Sequence, residues 1–215
     1  TPSKMNYYIF SGSIPAENQT VTDGEIYFTT EDKEGNVGTS SLYTVQWLES
    51  ITSFDLRYYS GSSYVTSVKS QWDGTCWTHG SAASAESNLL MTGTWDKFGE
   101  ENEPDLAEYH LDWWNGFNQF YNEDILPDTN EGLEVHYGGD YLVVAAYNAR
   151  GEGFVRDIDG QSFDTPPERS SDSYHIYYTR DIEWYEDDYG LSNQELIKQR
   201  IMRNGAIGTC MMYDD

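Results

Sequence analysis

Cysteine and basic residues are both scarce in this sequence. Its 215 residues contain two cysteines, Cys76 and Cys210. Two distant cysteines make neither a disulfide framework nor a zinc cluster, because structural zinc sites use close pairs such as C-x-x-C. The 12 Lys and Arg against 37 Asp and Glu give a net charge of −25. A field of this sign repels nucleic acid and anionic membrane surfaces, so we expect no nucleic-acid partner. The acidity is typical of a well-solvated exterior, and cation binding is the alternative use for it.

Long apolar runs are also missing. No stretch approaches the roughly 20 apolar residues that a membrane-spanning helix needs, so the sequence predicts no membrane span. Aromatic residues are plentiful instead, with 18 Tyr and 7 Trp. A composition rich in Tyr and Trp and poor in Lys is common in secreted proteins. We therefore expect an extracellular or cell-surface location.

The pattern along the chain divides it into a β-rich extension at residues 1–50 and a main domain at residues 51–215. Strand-like runs in the extension cover Tyr7–Phe10, Glu25–Thr30 and Ser41–Leu48, with a hairpin turn at Glu31–Asn36. Gly, Asp and Asn clusters separate these runs, which is typical of a small antiparallel β unit. The turn lacks the spaced acids of a calcium loop, so we expect no metal there.

The main domain reads as helices followed by the beginning of a sheet, which makes the predicted class α+β. Apolar spacing predicts helices over 76–91, 105–114, 140–150 and 193–203. Strands are predicted over Tyr174–Trp184 and over the apolar run Ala206–Tyr213. Cys210 lies inside that last run, so we expect it to be a small buried hydrophobe.

The most informative junction is Gln71–Gly80, where a small-residue helix begins at Cys76. A cysteine in the first turn of a helix sits at the positive end of the backbone dipole, beside N–H groups that lack intrahelical partners. This environment stabilises a thiolate. The sequence therefore predicts a nucleophilic Cys76.

The chain resembles the papain-like cysteine peptidases from about residue 54 to residue 213. No single motif is specific, but all occur in the family's order. The segments that carry the resemblance are Ser53–Arg57, Val65–Gln71, Gly74–Trp77, Glu86 within its helix, Asp105–Leu111, Tyr137–Tyr141, Gly151–Gly153 and Glu195–Ile207. The implied fold is the helical left half of the papain-like domain plus the start of its antiparallel sheet half.

The resemblance implies a role for several residues. Cys76 would attack a peptide carbonyl and form an acyl-enzyme. Gln71 would help to bind the oxyanion together with the backbone N–H of Cys76. Gly138 and Gly139 would line the substrate cleft, and Trp77 follows the nucleophile as the family signature requires. The chemistry needs neither a metal nor an organic cofactor, and the expected partner is a peptide or protein substrate.

Two departures from the family pattern concern the loop before Cys76. The family places a second cysteine three residues before the nucleophile, for a disulfide to the Gly-Gly region, and Asp73 stands there in this chain. We therefore expect a loop without a covalent staple. Gln71 also lies one residue closer to the cysteine than is usual, which bears on its oxyanion role.

The larger departure concerns the base. In the family the catalytic His and Asn follow the strand that begins near Ile207, whereas no histidine here follows His175. We expect those groups on a further portion or chain that also completes the sheet; the alternative is that they were never present. Among the four histidines of this chain, His79 would point along its helix, His110 would be structural, His136 would be a solvated loop histidine and His175 would lie on a strand face.

Three functions remain open from the sequence. The first is a secreted papain-like cysteine endopeptidase. The second is a catalytically inactive papain-like scaffold that acts as a binding or structural subunit of a cell-surface assembly. The third is a carbohydrate-binding module that uses Trp113, Trp114 and Trp184, which requires these side chains to be exposed.

Overall fold

The chain folds into two compact units, Thr1–Ser53 and Phe54–Asp215, in a computed structural model. The structure describes residues 23–26, 29–31, 35, 37–39, 43–46, 53–122, 132–185 and 194–210. The strand predicted at Tyr7–Phe10 lies outside them. No helix in these ranges combines the length and the apolar character needed to cross a bilayer.

The described residues of the first unit form two antiparallel strand pairs. Strand β1 (Asp23–Ile26) pairs with β4 (Tyr43–Gln46), and β2 (Thr29–Glu31) pairs with β3 (Val37–Thr39). Glu31 lies opposite Val37, so the strands on either side of the predicted hairpin turn pair with each other; residues 32–34 and 36 of that turn lie outside the described residues. The run predicted as one strand over 25–30 belongs to two strands, because β1 and β2 have different partners.

The second unit is built around helix α1, Cys76–Met91. Its other helices are α2 (Thr94–Lys97), α3 (Glu108–Trp114), α4 (Tyr141–Ala149), α5 (Asp157–Gly160) and α6 (Gln194–Asn204), with a 3₁₀ turn at Leu56–Tyr58. Strands β5 (Phe154–Val155) and β6 (Ile176–Tyr177) form an antiparallel pair. Helices and small antiparallel sheets in one chain make the class α+β.

The core lies where α1 meets α2, α3 and α4. Its buried side chains are apolar and, apart from Ala82, large, because burying such groups supplies most of the favourable free energy of folding. They are Trp77, Ala82, Leu89, Trp95, Leu106, Leu111, Tyr147 and Phe154. Helix α4 begins one residue after the predicted start, because Asp140 is its N-cap and accepts from the backbone N–H groups of Leu142 and Val143 at 2.7 and 3.1 Å.

The predicted helix over 105–114 starts later, at Glu108. Leu106 instead forms an antiparallel bridge to Arg156, and the Ala107 N–H donates to Val155 O at 2.8 Å. A backbone that bonds to a neighbouring extended segment has no helical partner, so the helix begins only after this bridge.

The predictions near the end of the chain need correction. Cys210 is exposed, and residues 205–210 form no strand. None of the described strands pairs with this run; its backbone instead joins α1, where Ser84 donates to Ala206 O and Ser87 accepts from Ala206 N–H. The predicted strand over 174–184 is real only at Ile176–Tyr177, the part that has β5 as its partner.

Candidate active site at the start of helix α1

Cys76 is the first residue of α1, and it is exposed. The preceding Thr75 is fully buried, and its hydroxyl donates backwards to Trp72 O at 2.7 Å. Thr75 therefore makes no side-chain cap to the N–H groups of the first turn. These groups remain available to an anion near Cys76, such as its own thiolate or an oxyanion.

The predicted oxyanion donor, Gln71, is exposed in the loop that leads to the helix. Its Nε2 donates to the carbonyl of Asp73 at 3.2 Å. Asp73 itself has a left-handed backbone, with φ of 51°. The bond holds the Gln71 amide against its own loop, and its role towards an oxyanion stays a prediction.

The glycine loop packs against this same junction. The Gly74 N–H donates to His136 O at 2.6 Å, and a Cβ on Gly74 would lie 2.9 Å from the backbone nitrogen of Gly138. A Cβ on Gly139 would lie 2.5 Å from the ring of Trp77. The structure thus brings Gly138 against the loop that precedes Cys76 and Gly139 against the residue that follows it, and glycine is what permits so close an approach.

Trp77 does not lie on a surface that a substrate could contact. Its side chain is buried in the core beneath Gly139, and its Nε1 has no hydrogen-bond partner among the described residues. The residue therefore supports the glycine loop from below. Its predicted contribution to substrate binding can come only through that loop.

His79 lies one turn after Cys76 on α1. Its Nδ1 is 2.8 Å from Thr75 O, and since a carbonyl only accepts, this nitrogen carries the hydrogen. The ring points back along the helix as predicted. Together with Gln71 it lines an open cavity of about 290 Å³, to which Val65, Lys69 and Ala206 also contribute.

His136 is a correction to the sequence-based prediction of a solvated loop histidine. Its side chain is only 14% exposed, and Nδ1 lies 2.6 Å from Oδ2 of Asp112, which is itself buried. Nε2 donates to Phe163 O at 3.0 Å, and the ring stacks on Phe163 with centroids 4.0 Å apart. Both ring nitrogens are thus engaged, one with Asp112 and the other with the backbone of Phe163. Burial raises the pKa of Asp112, and His136 opposes that rise.

The other two histidines are also engaged. His110 is buried as predicted, with Nε2 3.0 Å from Arg169 O and Nδ1 3.0 Å from the Tyr147 hydroxyl. Burial lowers its pKa. His175 is more exposed, with Nδ1 3.0 Å from Oε1 of Glu100. None of the four rings is hydrogen-bonded to Cys76 in the described part of the chain.

Residues 161–169, which we call the strap, cross helix α3. Four of its backbone carbonyls accept ring N–H groups at 2.9 to 3.0 Å. The pairs are Trp113 to Ser162, His136 to Phe163, Trp114 to Pro167 and His110 to Arg169. The sequence did not predict this arrangement, because every residue has a backbone carbonyl and residue types therefore do not show which carbonyls accept hydrogen bonds.

The strap also determines the exposure of the tryptophans. Trp113 is buried with its indole N–H on the strap, and Trp114 is partly buried in the same way. Trp184 alone of the three is largely exposed, at 52%, with its ring against Tyr141. The carbohydrate-binding hypothesis required all three to be exposed, and the burial of Trp113 contradicts it.

In the described part of the chain, one group of carboxylates has the spacing of a metal site. Oxygen atoms of Glu86, Asp105 and Glu108 all lie within 4.8 Å of one another. Their centre is taken by the ammonium group of Lys69, which lies 2.6, 2.6 and 2.7 Å from the three carboxylates. Burial alone would lower the pKa of Lys69, but these negative charges outweigh it and raise that pKa. The cluster is an internal ion-pair network that already contains its cation.

No family model matches the chain, and a search of curated proteins found no match either. The geometry of the site is therefore the basis for the function proposed below.

Proposed function

We propose that the protein is a papain-like cysteine endopeptidase, acting outside the cell or at its surface, with Cys76 as nucleophile. The observation that carries the proposal is an exposed thiol as the first residue of a helix of 16 residues, where the N-cap side chain makes no hydrogen bond to the first-turn N–H groups. The docking of Gly138 and Gly139 beside this turn adds support, because a cleft floor without side chains lets an extended peptide reach the thiol.

The chemistry proceeds by acyl transfer. The Cys76 thiolate attacks the peptide carbonyl carbon, and the carbonyl oxygen becomes an oxyanion that the backbone N–H of Cys76 and the Gln71 amide would stabilise. The C–N bond then breaks, and the amine leaves with a proton from an imidazolium. Water hydrolyses the thioester, which releases the acid and restores the thiol.

The proposal requires an imidazole for Cys76 that the four histidines of this chain do not offer. His79, His110, His136 and His175 all have other hydrogen-bond partners. The base and its orienting Asn therefore have to come from a further segment or chain, which would also complete the sheet.

The same observation favours the second candidate, a papain-like scaffold without hydrolytic activity. A protein that binds or assembles through this fold needs no imidazole at Cys76. A peptidase needs a reactive Cys76 thiol and a scaffold does not, so a thiol-selective probe distinguishes the two functions.

The test is labelling of the natural protein near neutral pH with an epoxide probe selective for activated peptidase thiols, followed by peptide mapping. Cys210 is a matched internal control, since it is also exposed but not at a helix start. Selective labelling of Cys76, abolished by Cys76→Ala but not by Cys210→Ser, is the expected result. Equal or absent labelling of the two thiols in folded, reduced protein would leave the scaffold as the better account.

A further inference from the structure

The side chain of Asp112 holds His136 by two hydrogen bonds at once. Oδ2 of Asp112 accepts from the backbone N–H of His136 at 3.0 Å and lies 2.6 Å from Nδ1 of the same residue. Asp112 is 1% exposed and belongs to α3, so the acceptor is fixed in the core. Two bonds to one residue define both the position of its backbone and the orientation of its ring.

The backbone of His136 has a conformation that needs such support. Its φ is 71°, in the left-handed region, which costs an L-residue roughly 1–2 kcal/mol. Histidine tolerates this region better than most residues, and Asn better still. The bonds from Asp112 and the bond from the ring to the strap offset that cost.

The backbone carbonyl of His136 connects this arrangement to the candidate active site. It accepts the N–H of Gly74 at 2.6 Å. Gly74 is two residues before Cys76, and His136 is two residues before Gly138. One hydrogen bond thus ties the loop of the nucleophile to the glycine loop.

We propose that His136, held by Asp112, is a positioning residue that keeps the Cys76 loop and the Gly138–Gly139 loop at a fixed separation. The papain-like family has a disulfide between these two loops, at the position where this chain has Asp73. Hydrogen bonds through His136 take the place of that disulfide here. The consequence for catalysis rests on the proposed function, whereas the tie between the loops does not. A displacement of about 1 Å in a reacting group can cost about a hundredfold in rate, so such a tie matters to a peptidase.

Two replacements of His136 separate positioning from packing. His136→Asn keeps a residue that accepts left-handed φ, together with the backbone N–H that bonds to Asp112, but it loses the stacked ring. His136→Phe keeps a ring for Phe163 but loses the hydrogen bond between Nδ1 and Asp112 and prefers other backbone conformations. Positioning therefore predicts that Asn preserves the tie better than Phe, and simple packing predicts the reverse.

His110→Gln is the matched control. His110 is also a buried histidine whose ring donates to the strap, but it makes no bond to residues 73–74. Its replacement is expected to lower the unfolding temperature without affecting the Cys76 loop. Asp112→Asn is a second test of the tie, because an amide offers one acceptor oxygen without the negative charge.

The first readout is hydrogen exchange of the Gly74 amide in the full-length protein under native conditions. We expect His136→Phe and Asp112→Asn to speed it by about tenfold, the effect of losing roughly 1.4 kcal/mol of protection. His136→Asn should have a smaller effect, and His110→Gln none. Unchanged exchange in both His136→Phe and Asp112→Asn, or faster exchange in His136→Asn than in His136→Phe, would overturn the proposal.

The second readout is the rate of epoxide labelling at Cys76, divided by the rate of iodoacetamide labelling at Cys210. This ratio should fall about tenfold in the variants that release Gly74. If Cys76 never labels while Gly74 exchange follows the predicted order, the peptidase function fails and the tie stands. If Cys76 labels and none of the variants alters either readout, the tie fails and the function stands.

Discussion

Gly74 shows how closely a single position constrains the candidate site. An added Cβ would lie 2.8 Å from His136 O and 2.9 Å from Gly138 N, and both are backbone atoms that cannot rotate away. We expect Gly74→Ala to destabilise the protein by about 1–3 kcal/mol, the usual cost of overpacking, and to slow labelling of Cys76. Urea unfolding and the probe assay measure the two effects.

Gly80→Ala provides the control for this change. Gly80 is exposed on α1, and beyond the adjacent backbone of its own helix nothing lies within 4 Å of the position that a Cβ would take there. Alanine at this position should stabilise the helix by about 1 kcal/mol, because Gly costs conformational entropy in a helix interior. Equal destabilisation by both substitutions would mean that the close approach at Gly74 has no special importance.

At the same scale, the sequence predicted some residues well and others poorly. Cys76 at a helix start follows from a local pattern, the interest in Gly138 and Gly139 came from the family resemblance, and the structure places these residues close together. The partner of His136 could not be found this way, because Asp112 lies 24 residues earlier and only the tertiary fold brings the two together. Cys210 was predicted to be buried from its apolar neighbours, but hydrophobicity alone does not provide a strand with a partner.

At the scale of elements, the charges between α1, α3 and α5 predict a dependence of stability on pH. Burial and the nearby negative charges of Asp105 and Glu108 raise the pKa of Asp157 from 3.8 to about 6. A group whose pKa is higher in the folded state stabilises fully below its unfolded pKa and loses that contribution as pH rises through about 6. Asp157→Asn should therefore raise stability at pH 8 by about 1–2 kcal/mol, with allowance for solvent screening, and change little near pH 4.

Asp159→Asn is the natural control in the same short helix. Burial acts to raise the pKa of Asp159, but bonds from the His175 backbone and from Arg156 outweigh it and lower that pKa. Its contribution is present above the unfolded pKa and lost as pH falls, so this variant should lose stability at neutral pH. Urea unfolding between pH 4 and pH 8 measures both, and a gain that is independent of pH in Asp157→Asn would contradict the assignment.

The elements themselves were predicted unequally. Helices α1, α4 and α6 lie within one residue of the predicted bounds, because caps and apolar spacing are local signals. The short elements β5 and α5 were missed, and the predicted strand over 174–184 was too long. A strand of two residues forms only where another strand pairs with it, and a single sequence does not show which segment that is.

For the whole molecule, the net charge of −25 predicts a marked response to salt. Like charges oppose compaction, and salt reduces the Debye length from about 30 Å at 0.01 M to about 10 Å at 0.1 M. We expect the unfolding temperature, followed by circular dichroism at neutral pH, to rise by several degrees over this range. The rise should shrink near pH 4, where carboxylates begin to take up protons, and a flat or falling response at neutral pH would contradict it.

The anchoring of the strap has a consequence for how this protein can vary. Every residue has a backbone carbonyl, so substitutions in the strap do not remove the acceptors through which it is held. The side chains that donate to the strap, on α3 and at His136, cannot be substituted so easily, because only a few side chains carry a ring N–H. Diversity among related chains should therefore accumulate at exposed strap positions such as Asp164 and Thr165, while Trp113 and His110 resist change.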